Sequence, residues 1–256
     1  MRKKSLLLTT LLAVLLLSGC SSSSPKEERM LTGVEQTFVY EKTREKPFGE
    51  LEYMDISEKE ALELMKDKFD VAVPDVFDTY KKLGSEQMES EKMPLVSTNY
   101  SVYSQGDELY FYGEKAYGEK ADPLLYDTIE LKYNFDRVGK RVVLTNMWIS
   151  IYNLPMEDGS YRGKDLQQTL ELLGSYLKIG DDESFKKFDE VANVPMKKRK
   201  NKTIPYFDNR QTAEQEKGLR RAVLVKYGED GSLIKIMAGF QDLQLLVEEE
   251  ETSKSE

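Results

Sequence analysis

The sequence has no histidine and one cysteine among its 256 residues. Without histidine there is no Ser-His-Asp or Cys-His catalytic group, no histidine-ligated zinc or haem, and no imidazole switch near neutral pH. A lone cysteine excludes an intramolecular disulfide, a CxxC redox pair and a thiolate metal cluster. The residues therefore indicate no cofactor and no metal site, whereas carboxylate chemistry and binding functions stay open.

The residues that are present are those of a folded protein. Hydrophobic residues make up 39% of the sequence and charged residues 32%, with a formal net charge of −9. Disordered chains have fewer apolar residues for their charge. The length allows one large domain or two small ones, each large enough to bury a core.

The first twenty residues have the pattern of an export signal. Three basic residues at positions 2–4 precede an apolar run over residues 6–17. A run of this length matches a signal-peptide core and is too short to span a bilayer comfortably.

The apolar run ends in Leu-Ser-Gly-Cys at residues 17–20, which resembles the lipobox of bacterial lipoprotein precursors. In that family the cysteine receives a diacylglyceryl group and becomes the first residue after cleavage. The resemblance implies lipid attachment at Cys20 and a protein held on the extracytoplasmic face of the cell membrane. An ordinary secretory signal, or an N-terminal membrane helix that is never cut, is the alternative.

Removal of the signal makes the chain more acidic. Three of the 37 basic side chains lie in the signal, whereas all 46 acidic side chains lie after it, so the net charge changes from −9 to −12. Such a body is repelled by an anionic membrane surface and lacks the cationic footprint that nucleic acid requires. We therefore expect the lipid on Cys20 to anchor the protein, and we expect no nucleic-acid partner.

Helix signals occur twice along the chain. Ser57 and Glu60 form a capping box that begins a first helix, and Gly84 is expected to end a second helix over residues 74–83. A shift of 108 positions superposes apolar residues without a gap: Tyr53 on Tyr161, Leu62 on Leu170, Met65 on Leu173, Phe69 on Leu177, Val71 on Ile179, Phe77 on Phe185, Tyr80 on Phe188 and Leu83 on Val191. Two copies of one helix-helix pattern produce such a repeat. A chance likeness between amphipathic helices is the alternative.

Strand-like segments follow each predicted helix pair. In the first copy, residues 98–104 and 108–112 flank a turn at Gly106, residues 129–135 alternate between apolar and polar, and residues 142–152 are apolar on both faces. Trp148 in that last strand is expected in the core. In the second copy, residues 203–207 predict a short strand, and residues 219–227 and 233–240 predict a hairpin.

The predicted fold class is α+β, with two tandem modules that each pack two helices on an antiparallel sheet. The ranges are a signal peptide at 1–19, a flexible tether at 20–50, modules at 51–153 and 154–242, and an acidic tail at 243–256. This order of elements is similar to the architecture of the beta-lactamase-inhibitor-protein family over roughly residues 51–240, although the disulfides of that family are missing. The resemblance implies a binding or inhibitory protein rather than an enzyme.

A group of tyrosines near the first hairpin is the candidate protein contact. Tyr110 and Tyr112 share one strand face, and Tyr103 lies in the preceding strand. Exposed tyrosines bury a large area on binding at little cost in side-chain entropy. A sheet covered by a long loop is the alternative.

A dense basic run stands out in this acidic chain. It comprises Lys197, Lys198, Arg199 and Lys200. Such a run makes a candidate contact with an anionic lipid or wall polymer, and a solvated loop is the favoured alternative.

The functional expectation is a lipid-anchored, non-enzymatic module that binds another envelope or secreted protein or a peptide. The alternative is a carboxylate-dependent enzyme of cell-envelope polymers, which requires a cleft with two acids of raised pKa. A substrate-binding lipoprotein of a transporter is disfavoured because no parallel α/β lobes are predicted.

Overall fold

A long antiparallel sheet organises the protein. The structure, a computed structural model, describes residues 31, 33–179, 191 and 194–244. The strands in these residues are β1 (Glu41–Thr43), β2 (Leu51–Ile56), β3 (Leu95–Gln105), β4 (Glu108–Glu119), β5 (Asp122–Asp136), β6 (Arg141–Asn153), β7 (Thr203–Asp208), β8 (Leu219–Tyr227) and β9 (Leu233–Asp242). They cover all of the predicted strand segments.

Short helices connect the strands. The α-helices in the described residues are α1 (Gly33–Gln36), α2 (Glu58–Glu63), α3 (Val76–Leu83), α4 (Leu166–Tyr176), α5 (Met196–Arg199) and α6 (Arg210–Glu216). Two π-helical turns, Leu64–Lys68 and Gly84–Met88, extend α2 and α3. No helix in this part of the chain is long and apolar enough to cross a membrane.

The nine strands form one continuous sheet. Its order is β2-β3-β4-β5-β6-β9-β8-β7, and each neighbouring pair is antiparallel. Strand β1 pairs with the first residues of β6, beyond the stretch of β6 that pairs with β9. The α+β class and the antiparallel sheet are thus confirmed.

Period-two alternation places the core on one face of the sheet. Leu109 and Phe111 of β4 are buried on the helix-covered face. The Phe111 ring meets Phe77 of α3 edge to face at 5.6 Å. Each buried side chain of this size contributes about 2 kcal/mol through removal of apolar surface from water.

The first helix begins at the predicted capping box. The Ser57 side chain accepts a hydrogen bond from the Glu60 backbone amide, and the Glu60 carboxylate accepts one from the Ser57 amide at 2.9 Å. From this fixed start, Ala61, Met65 and Phe69 turn toward the sheet and are buried.

Helix α3 ends at Leu83 with Gly84 as its C-cap residue, as predicted, but Gly84 keeps a right-handed helical conformation. The chain continues directly into the π-helical turn that begins at this residue. A Cβ atom on Gly84 would lie 2.5 Å from the hydroxyl of Tyr117. The glycine is therefore also needed for close approach of the helix to the sheet.

Polar groups are enclosed beneath that turn. Asp127 of β5 is fully buried and accepts a hydrogen bond from the Tyr117 hydroxyl at 2.8 Å. Its cross-strand partner Lys115 places its ammonium 4.3 Å from the centre of the Tyr80 ring. Burial raises the pKa of Asp127 to about 6, although the charge of Lys115 acts in the opposite direction.

The stabilising contribution of Asp127 is expected to fall as pH rises. Its folded pKa exceeds the unfolded value near 3.9, so its stabilising effect is present below pH 4 and is lost as pH rises through 6. Urea unfolding of the wild type and of Asp127→Asn measures the difference between their free energies of unfolding. We expect this difference to fall by about 2 kcal/mol between pH 4 and pH 7. A difference that is constant with pH contradicts the account.

The chain from Gly33 to residue 50 is not a flexible tether, which corrects that part of the prediction. It contains α1 and β1, and the Phe38 ring packs on Phe240 at 5.2 Å and on Tyr176 at 6.1 Å. The buried Glu35 carboxylate accepts a hydrogen bond from the Leu219 amide at 2.8 Å. The segment is held because its aromatic ring covers apolar surface between the sheet and α4.

Several predictions concern residues that the structure does not describe. These are the signal peptide at 1–19, Cys20, residues 20–30 of the expected tether, most of the second helix of the second module, and the tail beyond residue 244. They stay predictions from the sequence.

Candidate protein-binding surface

The sheet face opposite the helices carries aromatic and charged side chains. We call it the open face. Its central residues, read across the strands, are Tyr103, Glu108, Tyr110, Tyr112, Glu114, Tyr126, Glu130, Lys132, Trp148, Tyr152, Lys235 and Gly239. Most of these side chains are partly exposed, in contrast to their fully buried neighbours on the helix-covered face.

The three tyrosines predicted as a protein contact lie together on the open face. Tyr103 of β3 and Tyr110 of β4 are cross-strand partners, and their rings stack at 4.7 Å with an angle of 11°. Tyr112 lies two residues further along β4 on the same face. The structure therefore unites them in one aromatic cluster, as expected from the alternation of β4.

Carboxylates fix the positions of these rings. The Tyr110 hydroxyl donates to Glu108 at 2.5 Å, and the Tyr112 hydroxyl donates to Glu114 at 2.9 Å. Burial raises the pKa of both tyrosines, and their acceptor carboxylates raise it further. Both hydroxyls consequently stay protonated, and each ring is held in place by its hydrogen bond.

Glu108 is held in turn by Lys132, which forms an ion pair with its carboxylate. Burial by itself raises the pKa of Glu108, but the hydrogen bonds from Lys132 and Tyr110 outweigh it and lower the pKa below its ordinary value. Glu108 is therefore ionised at neutral pH and fully engaged.

Trp148 lies on the open face, although the pattern of its strand predicts a position in the core. Lys132 of β5 pairs with Asn146, whereas the next residue, Tyr133, pairs with Leu144. Thr145 is thus an extra residue in β6, and this bulge moves Leu144 to the helix-covered face while Trp148 stays on the other. A single sequence contains no signal for the bulge.

Gly239 of β9 provides space for the Trp148 indole. A Cβ atom at this position would lie 2.8 Å from Cδ2 and Cε3 of Trp148. The indole therefore packs closely against the glycine backbone. The ring is thereby fixed on the sheet, and the side chain is partly exposed.

A further aromatic group extends the surface toward β9. Tyr152 is 40% exposed and is the cross-strand partner of Lys235. The Lys235 ammonium lies 4.3 Å from the centre of the Tyr152 ring and 2.9 Å from its hydroxyl. The sequence pattern does not indicate that Tyr152 and Trp148 belong to the open face, since their strand is apolar on both faces.

The basic run is divided by the fold. Lys197, Lys198 and Lys200 are exposed, but Arg199 is buried and donates to the Gly231 carbonyl at 2.6 Å. Its guanidinium also lies 4.7 Å from the centre of the Tyr227 ring. Arg199 is therefore a packing residue, which corrects its assignment as a contact with an anionic surface, and for the three lysines that contact stays a prediction.

No carboxylate cluster for metal binding occurs in the part of the chain that the structure describes. Asp127, whose pKa is raised, is enclosed beneath the helices rather than exposed on the open face. The alternative enzymatic function stays a prediction.

Comparison with protein-family models, with curated proteins and with solved structures finds no match for this chain. The function is therefore inferred from the geometry of the chain's own residues. The strongest feature of that geometry is the aromatic cluster on the open face.

Proposed function

We propose that the protein is a membrane-anchored extracytoplasmic lipoprotein that binds another envelope or secreted protein through the open face of its sheet. The observation that supports this proposal most directly is the stacked pair Tyr103 and Tyr110, with Tyr112 and Trp148 nearby on the same face. Tyrosine and tryptophan are among the residues most enriched where binding energy concentrates in protein interfaces.

The arrangement of the rings favours binding of a protein surface. They lie on strands rather than on loops, and hydrogen bonds or close packing fix Tyr110, Tyr112 and Trp148. Little side-chain entropy remains to be lost on association, which otherwise costs about 0.5–1.5 kcal/mol for each immobilised side chain. Aromatic centres with a polar rim are also the usual anatomy of an interface.

The proposed anchor limits where the partner is found. Cys20, the proposed site of lipid attachment, lies shortly before Leu31, where the described part of the chain begins. Even fully extended, a linking segment of this length spans only about 40 Å. The folded body is therefore kept close to the membrane, where an envelope protein or a newly secreted protein is encountered.

We further infer that the body consists of two tandem copies of one module, over residues 51–153 and 154–242. The N-caps Ser57 and Asp165 are related by the same shift that superposes the apolar residues. The left-handed residues after the two helices, Asp70 at φ 53° and Lys178 at φ 54°, are related by that shift as well. These agreements of backbone conformation support the duplication independently of the apolar pattern.

Loss of the tyrosine rings is expected to abolish partner capture. With Tyr110→Ala and Tyr112→Ala combined, we expect a loss of affinity on the order of several hundredfold, because truncation of a residue at the energetic centre of an interface costs about 2 kcal/mol, or roughly thirtyfold, for each ring. The measurement is crosslinking in intact membranes, affinity purification of the acylated protein and quantitative mass spectrometry.

The matched control is Tyr53→Ala, which removes a partly buried tyrosine on the helix-covered side of the sheet. This variant is expected to retain the proteins recovered with the wild type. Recovery that is unchanged in the Tyr110 and Tyr112 double variant contradicts the proposed surface, provided that urea unfolding shows the variant to be folded.

Replacement of the proposed lipid attachment residue is expected to release the protein from the membrane. Cys20→Ala removes the thiol that would carry the diacylglyceryl group, and two acyl chains are what make such an anchor stable. Fractionation of cells followed by immunoblotting measures this directly, with Ser21→Ala as the neighbouring control. If Cys20→Ala leaves the membrane fraction unchanged, the proposed anchor is wrong.

A further inference from the structure

One carboxylate on the open face lies between two aromatic side chains. Glu130 of β5 is directly opposite Tyr112 of β4 on one side and Trp148 of β6 on the other. Directly opposite residues in antiparallel strands have Cβ atoms about 5 Å apart. The two aromatic side chains therefore begin about 10 Å apart, with the carboxylate in the middle.

Glu130 differs from the other two carboxylates of this cluster. Glu108 is bonded to Tyr110 and Lys132, and Glu114 accepts from Tyr112. The side chain of Glu130, by contrast, has no hydrogen bond or ion pair with any residue that the structure describes. Its oxygens are therefore available to a donor from outside.

The nearby cations are already engaged. Lys132, two residues along β5, pairs with Glu108 and lies 5.7 Å from the centre of the Tyr110 ring. Lys235, on β9, bonds to the Tyr152 hydroxyl. The charge of Glu130 is consequently left to attract a cation from a partner.

Both flanking rings are fixed in advance. The hydroxyl of Tyr112 is tied to Glu114, and the indole of Trp148 rests on the backbone of Gly239. Because these side chains are already immobilised, ligand binding costs less side-chain conformational entropy at this site.

We propose that Glu130, Tyr112 and Trp148 form a receptor for an arginine side chain of the partner protein. A guanidinium group donates two parallel hydrogen bonds to a carboxylate and stacks on aromatic faces, which an ammonium group does less well. This inference rests on the proposed function and adds to it the side chain that the partner presents.

The test uses Trp148 as its own reporter, because it is the single tryptophan of the chain. The full-length protein is titrated with N-acetyl-arginine methylamide while tryptophan emission is recorded. N-acetyl-citrulline methylamide, a neutral analogue of nearly the same shape, is titrated in parallel. We expect a saturable change in tryptophan emission with the arginine probe, with a dissociation constant in the millimolar range expected for one contact. The citrulline probe is expected to bind at least roughly fivefold more weakly.

Two variants locate the interaction. Glu130→Gln keeps the shape of the side chain and removes its charge, and we expect it to weaken arginine binding by roughly fivefold or more. Glu119→Gln makes the same change at the exposed end of β4 and is expected to bind like the wild type. Equal binding of both probes, or full binding by Glu130→Gln, overturns the arginine receptor.

The outcome is independent of partner capture. If the arginine probe binds at Glu130 while the Tyr110 and Tyr112 double variant still recovers the same proteins, the arginine site stands, but the proposed protein surface fails and the arginine is not one of the captured protein. If capture depends on the tyrosines but Glu130→Gln alters neither capture nor probe binding, the surface stands and the receptor fails.

Discussion

Alternation of side chains across one continuous sheet is the constraint on which the rest of the structure depends. The helices cover one face of β4 and β5 and bury its apolar residues. The opposite face carries tyrosines whose hydroxyls donate hydrogen bonds to carboxylates. Beneath the helices, burial raises the pKa of Asp127. On the open face, Lys132 holds Glu108 ionised, and Glu130 has no side-chain partner among the described residues. Charge beneath the helices therefore affects stability, whereas on the open face the charge of Glu130 is the one that we propose for recognition.

Local patterns in the sequence predict much of this fold. The capping box at Ser57, both hairpins and the placement of Tyr110 and Tyr112 on one face follow from spacing alone, because each depends on a few neighbouring residues. The continuous sheet does not follow from spacing, because the pairing of β6 with β9 joins segments that lie far apart in the chain.

The errors share one physical cause, which is tertiary packing. The bulge at Thr145 accounts for the face on which Trp148 lies. Phe38 holds a segment that the composition predicts to be a tether, and backbone carbonyls draw Arg199 inward. None of these contacts leaves a periodic signal in the sequence.

The central claim is that the open face, and not the helix-covered side, meets a protein partner. Photo-crosslinking in living cells tests it most directly, with p-benzoylphenylalanine placed at Tyr103 on the open face or at Lys66 on the exposed side of the π-helical turn after α2. The account predicts a discrete crosslinked protein from the Tyr103 position and none from the Lys66 position. A crosslinked protein from Lys66 alone would contradict it.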